Sequence, residues 1–329
     1  MASISRLSSR LMASSKSNGA SQRLAAISRQ FSSSSASKFE VKKLGVVGAG
    51  QMGLGIALVA AQKAQVPVTL VDNSQASLDK GLAFADKILA KDVSKQKITE
   101  EVAKATRDRL KTSTQLSDLS DVDMVIEAVP EIISLKEKIF ADLAQICPKH
   151  AILATNTSSI SITKIARATS KDPTDTSASS RVVSTHFMNP VPVQKGVEII
   201  SGLQTSKETL AAAVAFCEKM GKIASVSQDV PGFLANRILM PYINEAIICL
   251  EAGIGTKEDI DSIMKNGTNV PMGPLTLADF IGLDTCLSIM ETLHAGLGDS
   301  KYRPSVLLRQ YVDAGWLGKK SGKGFYDYK

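Results

Sequence analysis

The chain has 329 residues, 44% of them hydrophobic and 22% charged, enough for one large domain or two ordinary ones with a substantial core. That balance excludes wholesale disorder, and no run approaches the ~18 uncharged apolar residues of a membrane helix. The net charge of +7 is not a nucleic-acid footprint. Arg6, Arg10, Lys16, Arg23, Arg29 and Lys38 precede the first acid, Glu40, and leave the rest of the chain near neutral.

Residues 1–38 are rich in Ser and Arg, free of Asp and Glu, and lack the apolar stretch of a secretory signal. Arg6, Leu7, Arg10 and Leu11 share one helical face, and Leu24, Ile27 and Phe31 another. The segment reads as a disordered transit peptide for the mitochondrial matrix, with a plastid address or a plain disordered tail as alternatives.

The body of the chain begins with a β-branched run, Leu44 to Val47, then Gly48-Ala49-Gly50-Gln51-Met52-Gly53 and a helical stripe from Ile56 to Ala61. A second strand, Val66 to Val71, ends at Asp72, nineteen residues after Gly53. A lone G-x-G-x-x-G is a weak signal. Between a strand and a helix, with an acid at the end of the next strand, it is a dinucleotide fingerprint. Gly48 permits the turn, Gly50 admits a pyrophosphate against the backbone, and Gly53 lets helix and sheet pack closely. The helix N-terminus offers N–H donors to the diphosphate. Asp72 suits the two hydroxyls of an adenosine ribose and repels a 2′-phosphate, so NAD is expected rather than NADP.

Residues 74–120 read as mostly helical, with a solvated lysine-rich face. Asp123 to Val129 is a strand, Ile132 to Ile146 a helix, and Ala151 to Ala154 a strand entering Asn156-Thr157-Ser158-Ser159. Glu131 and Ser158 follow strand ends, where open parallel sheets bind ligands; loop capping explains them equally well. A polar loop over 168–180 leads to strand Arg181 to Thr185 and then His186-Phe187-Met188-Asn189-Pro190-Val191-Pro192. Val197 to Ile200 and Ala224 to Val226 complete the strands.

Past Gly232 the alternation ends. Helical patterns run over Phe233 to Ala252, from Thr256 through Lys265, over Leu275 to Leu297 and over Ser305 to Ala314. The expected architecture is α/β: a Rossmann-type dinucleotide-binding domain over 39–228, then an all-helical C-terminal domain over 229–329. The apolar faces of that second domain serve its core or a dimer seam.

Cys147, Cys217, Cys249 and Cys286 lack Cys-x-x-Cys spacing and read as buried thiols, and the three histidines lack metal-ligand spacing. No metal is expected. Oxidation of an alcohol by a nicotinamide needs a base for the hydroxyl proton. His186, at a strand end, is the best candidate; His150 and His294 have no such setting. Glu198 lies twelve residues on, in the next strand. If the intervening loop returns that strand beside the first, its carboxylate reaches the imidazole and fixes the tautomer. Asn236 either aims its amide at a substrate oxygen or bonds backbone at a helix end; spacing does not separate the two.

Gly48 to Gly53, Asn156 to Ser159, His186 to Pro192, Pro231-Gly232-Phe233-x-x-Asn236-Arg237, Pro271-Met272-Gly273-Pro274 and Gly322-x-Gly324-Phe325-Tyr326 together resemble the L-3-hydroxyacyl-CoA dehydrogenases, in order from about residue 41 to the end. The resemblance implies a cleft between the two domains and a homodimer through the C-terminal helices. It further implies NAD-linked oxidation of an (S)-3-hydroxyacyl-CoA in fatty-acid β-oxidation. By resemblance, the catalytic set is His186 as base, Glu198 as its orienting partner, and Ser158 and Asn236 on the reacting oxygen. NAD would meet Gly48, Gly50, Gln51, Met52, Gly53, Asp72, Glu131, Lys136, Ser158, Asn189 and Lys320. Lys91, with Lys95 and Lys97, is a candidate for the CoA phosphates. A 3-hydroxybutyryl-CoA dehydrogenase, a dehydrogenase of a non-CoA hydroxy acid, and a silent NAD-binding protein are the competing readings.

Overall fold

Eight short strands form one sheet, and the computed structural model describes residues 39–328 around it. The expected transit peptide therefore lies outside the described residues. In chain order the elements of the α/β part are β1 (Leu44–Val47), α1 (Gln51–Val59), β2 (Val68–Val71), α2 (Gln75–Ser94), α3 (Glu100–Asp108), β3 (Leu110–Ser113), β4 (Met124–Glu127), α4 (Ile133–Ile146), β5 (Ile152–Thr155), α5 (Ile162–Arg167), β6 (Val182–Phe187), β7 (Gly196–Ser201), α6 (Lys207–Lys219) and β8 (Ile223–Gln228). The sheet order is β3-β2-β1-β4-β5-β6-β7-β8. Every neighbouring pair is parallel except β6 and β7. The order reverses between β1 and β4, and that crevice beyond the strand ends is where a doubly wound sheet receives its ligand.

Strands β1, β4 and β5 are buried along their whole length, as parallel strands covered on both faces must be. One strand departs from expectation. β3 sits within the stretch read as helical, because Leu-Lys-Thr-Ser buries only its first residue at the sheet edge and carries no apolar run.

After Gln228 there are no further strands among the described residues, only α7 (Ala235–Glu251), α8 (Lys257–Gly267), α9 (Pro274–Ile281), α10 (Leu283–Leu297) and α11 (Val306–Asp313), with short 3-10 turns between. The pattern read as one helix from Leu275 to Leu297 is broken at Gly282, whose φ of 105° lies in the left-handed half of backbone space. Thr256 caps α8 as expected, its side chain accepting from the Asp259 N–H. Met240, Ile243, Ile247, Leu275, Leu283, Met290, Leu293 and Leu308 form the helical core.

Two buried acids explain the C-terminal motifs. Asp279 is 1% exposed and accepts from the N–H groups of Phe325 and Tyr326, each at 2.9 Å, and from the Tyr328 hydroxyl at 3.0 Å. Burial pushes its carboxyl up despite those donors. Asp261 accepts from the Leu275 and Thr276 N–H groups at 2.8 and 2.9 Å and from the Tyr326 hydroxyl at 3.0 Å. Gly324 has no room for a side chain, since a Cβ there would sit 2.0 Å from Asp279 Oδ1. The conspicuous Pro-Met-Gly-Pro and Gly-x-Gly-Phe-Tyr segments thus tie the chain end to the helical layer.

Of the four cysteines, Cys147, Cys217 and Cys286 are buried and Cys249 is half-buried. Burial pushes the Cys147 thiol up to about 11 and those of Cys217 and Cys286 up to about 12, far from thiolate chemistry at neutral pH.

Candidate active site

The glycine turn after β1 folds as the fingerprint requires. Gly48 has φ 105°, and a Cβ there would lie 2.7 Å from the Ala128 carbonyl oxygen; a Cβ on Gly53 would lie 1.9 Å from Gly48 O. Gly50 is different: nothing lies within 4 Å of the place its Cβ would take. A tight turn with one open, side-chain-free face at a helix N-terminus fits a diphosphate. Asp72, just past β2, accepts from the Ala49 N–H at 2.8 Å through Oδ2 and from the Ser74 N–H at 2.9 Å through Oδ1. Those two donors fix the carboxylate beside the turn, and each oxygen keeps a lone pair for a ribose hydroxyl. Across the turn, Gln51 Nε2 donates to Asn189 Oδ1 at 3.2 Å, joining two of the residues expected at the cofactor.

The second half of the site grows from the one antiparallel pair. In the β6–β7 register His186 stands directly opposite Glu198, so both side chains leave the sheet on the same face. His186 Nδ1 and Glu198 Oε2 are 2.8 Å apart, and the two residues are 7% and 5% exposed. The other ring nitrogen, Nε2, lies 3.1 Å from Ser158 Oγ. Phe233 meets the imidazole edge-on at 6.0 Å between centroids. Glu198 spends its second oxygen on the N–H groups of Leu234 and Ala235, at 2.8 and 2.9 Å. Burial raises the Glu198 carboxyl, but the His186 hydrogen bond, the two backbone donors and the imidazole charge outweigh it and hold the group below its ordinary value. Asn236 follows Ala235 in the first turn of α7, so the carboxylate that orients His186 also anchors the helix carrying the amide.

Models of two families match in succession, that of the 3-hydroxyacyl-CoA dehydrogenase NAD binding domain over residues 43–230 and that of the 3-hydroxyacyl-CoA dehydrogenase C-terminal domain over 232–328. The chain belongs to the 3-hydroxyacyl-CoA dehydrogenase family. It is an NAD-dependent enzyme that oxidises 3-hydroxyacyl-CoA. A probable 3-hydroxybutyryl-CoA dehydrogenase of Bacillus subtilis is 53% identical over 290 residues, covering 88% of this chain and 98% of that protein. The mitochondrial hydroxyacyl-coenzyme A dehydrogenase of Homo sapiens is 39% identical over 323 residues, 93% of this chain and all of that one. Among solved structures, the (S)-3-hydroxybutyryl-CoA dehydrogenase of Ralstonia eutropha superimposes with a TM-score of 0.84 at 45% identity, covering 88% of this chain and 100% of that one.

Within this dehydrogenase, the structure brings Ser158, His186 and Glu198 together and places Asn236 one residue from their anchor. Three other candidates stand in ion pairs or on the surface. Lys136 is 1% exposed, with its ammonium 2.6 Å from Glu127 and 3.2 Å from Glu131. Lys91 is exposed in the last turn of α2, about 25 Å along that helix from Ser74. Lys320 pairs with Asp284 at 2.6 Å in the helical part. Glu127 is the residue that sequence reasoning passed over. Its signal was available: an acid inside the buried run Met-Val-Ile-Glu needs a cationic partner, and Lys136 lies nine positions on.

Glu198→Ala tests the anchor. The change leaves the imidazole and two N–H groups without their acceptor and is expected to cost about 3–5 kcal/mol of unfolding free energy at pH 7. Because the folded-state value is lowered, this contribution is complete above the unfolded value of 4.5 and fades as pH falls through the folded one. Urea unfolding of both proteins across that range should show the gap closing in acid. A gap that stays constant with pH contradicts the assignment.

Proposed function

We propose that His186 is the general base of the reaction, receiving at Nε2 the hydroxyl proton of a short-chain (S)-3-hydroxyacyl-CoA. The observation that carries this reading is the imidazole held between a buried carboxylate at 2.8 Å and a serine hydroxyl at 3.1 Å. Bound NAD supplies the hydride acceptor, cradled by Gly48 to Gly53 with Asp72 on its adenosine ribose. Glu198 keeps the Nδ1 proton in place and stabilises the imidazolium as the substrate proton arrives. Ser158 and Asn236 donate to the substrate oxygen as it becomes a carbonyl, and Asn189 steadies the cofactor side through Gln51. The short acyl chain is supported by the names of relatives from Bacillus subtilis, Bradyrhizobium diazoefficiens and Deinococcus radiodurans, each a 3-hydroxybutyryl-CoA dehydrogenase or a probable one.

A homodimer through the helical part belongs to the same proposal. Ile254 and Ile263 are 75% and 65% exposed. They line an apolar cavity of about 590 Å³ with Tyr242, Ala246, Ile260 and Met264. A second copy of the chain is the occupant this reading assigns to that face. We further propose delivery to the mitochondrial matrix, supported by the acid-free, Arg-spaced leader and by the mitochondrial relative from Homo sapiens.

His186→Ala is expected to lower kcat on the order of 10³-fold while NADH still binds. Initial rates with acetoacetyl-CoA, longer 3-oxoacyl-CoAs and free acetoacetate, each with NADH, check base and substrate together. Near-normal turnover in the variant, or preference for the free acid, contradicts the proposal. Ile263→Asp should halve the mass measured by light scattering; an unchanged mass removes the dimer face. A fluorescent protein carrying residues 1–38 should enter mitochondria, and a cytosolic signal refutes that address.

A further inference from the structure

The loop that reverses the chain between β6 and β7 is held by a cation that the reaction as described does not use. Lys222 lies between α6 and β8 and is 8% exposed. Its ammonium donates to the Val191 carbonyl at 2.5 Å and to the Gln194 carbonyl at 2.7 Å. Both partners are backbone carbonyls rather than carboxylates, and burial pushes the ammonium below its ordinary value. A buried cation without an acid is a poor source of stability. What this one supplies is geometry, because it draws two points of the loop, three residues apart, onto a single atom.

The loop is set from other directions as well. The N–H groups of Val193 and Gln194 turn back to the Pro190 carbonyl at 3.0 and 2.9 Å, and the Ile223 N–H donates to the Lys195 carbonyl at 2.8 Å. Val191 is 2% exposed and stands against Gly55 of α1, where an added Cβ would come within 3.0 Å of Val191 Cβ. Asn189, at the head of the loop, accepts from Gln51 in the first turn of α1 at 3.2 Å. Since α1 opens at the glycine turn, the loop rests on the dinucleotide cradle on one side and is tied to Lys222 on the other. The pairing of His186 with Glu198 does not depend on that tie. The β6–β7 ladder and the N–H groups of Leu234 and Ala235 hold it separately.

We infer that Lys222 is a positioning residue for the cofactor: its ammonium pins the β6–β7 loop onto α1 and so sets Asn189 beside the NAD cradle. This inference rests on the reading of Asn189 as a cofactor contact. Without the ammonium, the Val191 and Gln194 carbonyls lose their donor and turn toward water. The loop then lifts from Gly55, and Asn189 leaves the place from which it meets NAD.

The experiment uses the full-length enzyme with Lys222→Met, Lys222→Arg, Asn189→Ala and Lys222→Met/Asn189→Ala. NADH binding is measured by fluorescence titration and acetoacetyl-CoA reduction by initial rates. Lys222→Met is expected to raise the NADH Kd about 5- to 20-fold. The KM for acetoacetyl-CoA should stay within about twofold of wild type, since the His186 pairing is held separately. A merely structural role lowers the fraction of active enzyme instead, and leaves the NADH Kd of the folded molecules unchanged. Beside the ammonium lies a cavity of about 290 Å³ that Gln194 and Met220 also line, with room for a guanidinium. Lys222→Arg is therefore expected to bind NADH within about threefold of wild type. The double variant should bind NADH no more weakly than Asn189→Ala alone, since there is then no amide left to place. Should Lys222→Met fail to fold, Lys222→Gln, whose donor is one bond short, takes its place with the same direction expected. An unchanged Kd in whichever of the two folds, an additive double variant, or a Lys222→Arg enzyme as weak as Lys222→Met overturns the inference. Unchanged NADH affinity in Asn189→Ala sinks the cofactor reading of Asn189 and the positioning role with it. Weakened affinity there, with wild-type affinity in Lys222→Met, sinks the positioning role alone.

Discussion

A histidine and a glutamate face each other across two antiparallel strands, and most of what distinguishes this sheet serves that pairing. Seven strand pairs hold the sheet together, and six of them are parallel. Parallel neighbours require a crossover, so residues twelve apart cannot become register partners through one. The single reversal at Asn189–Lys195 removes that obstacle and sets His186 opposite Glu198. Burial then makes the pair strong and demanding: with little water to share the charge, the carboxylate depends on its protein donors.

Those donors come from beyond the sheet. The backbone N–H groups of Leu234 and Ala235 end on Glu198, so the first turn of the helical part is fastened to the group that orients His186. Phe233 adds to the joint: it is 2% exposed, packs in the core of the α/β part, and is held at φ 49° directly after Gly232 at φ 78°. A non-glycine residue in left-handed backbone costs about 1–3 kcal/mol and persists where packing over-determines it. Here the packing partners are the imidazole edge and the apolar layer under β5 and β6. One carboxylate thus couples the geometry of His186 to the entry angle of α7, which carries Asn236.

Much of this was legible in the residues. Glycines at 48, 50 and 53 followed by Asp72 specify strand, turn, helix and strand because each position answers a steric or electrostatic need that few other residues meet. His186 and Glu198 were readable as partners only on condition that the chain turned back between them, a tertiary fact that local pattern does not contain. β3 escaped notice because an edge strand of four residues, three of them polar, has no period to detect. The break at Gly282 was hidden inside an apolar run that both flanking helices continue. Lys91 was a candidate by charge alone, and charge does not specify place. The depth of Lys136 follows from Glu127: a buried acid in a strand recruits a buried base.

The central claim is a tautomer: the proton of the neutral imidazole sits on Nδ1, facing Glu198, and the lone pair on Nε2 faces Ser158 and the substrate. Nitrogen-15 NMR of the histidine rings in uniformly labelled protein reads this directly, with Glu198→Gln used to assign the His186 signals among three histidines. The account predicts a pyrrole-type shift for His186 Nδ1 and a pyridine-type shift for Nε2 in the neutral ring. The reverse tautomer, with Nε2 protonated and Nδ1 bare against the carboxylate, contradicts it.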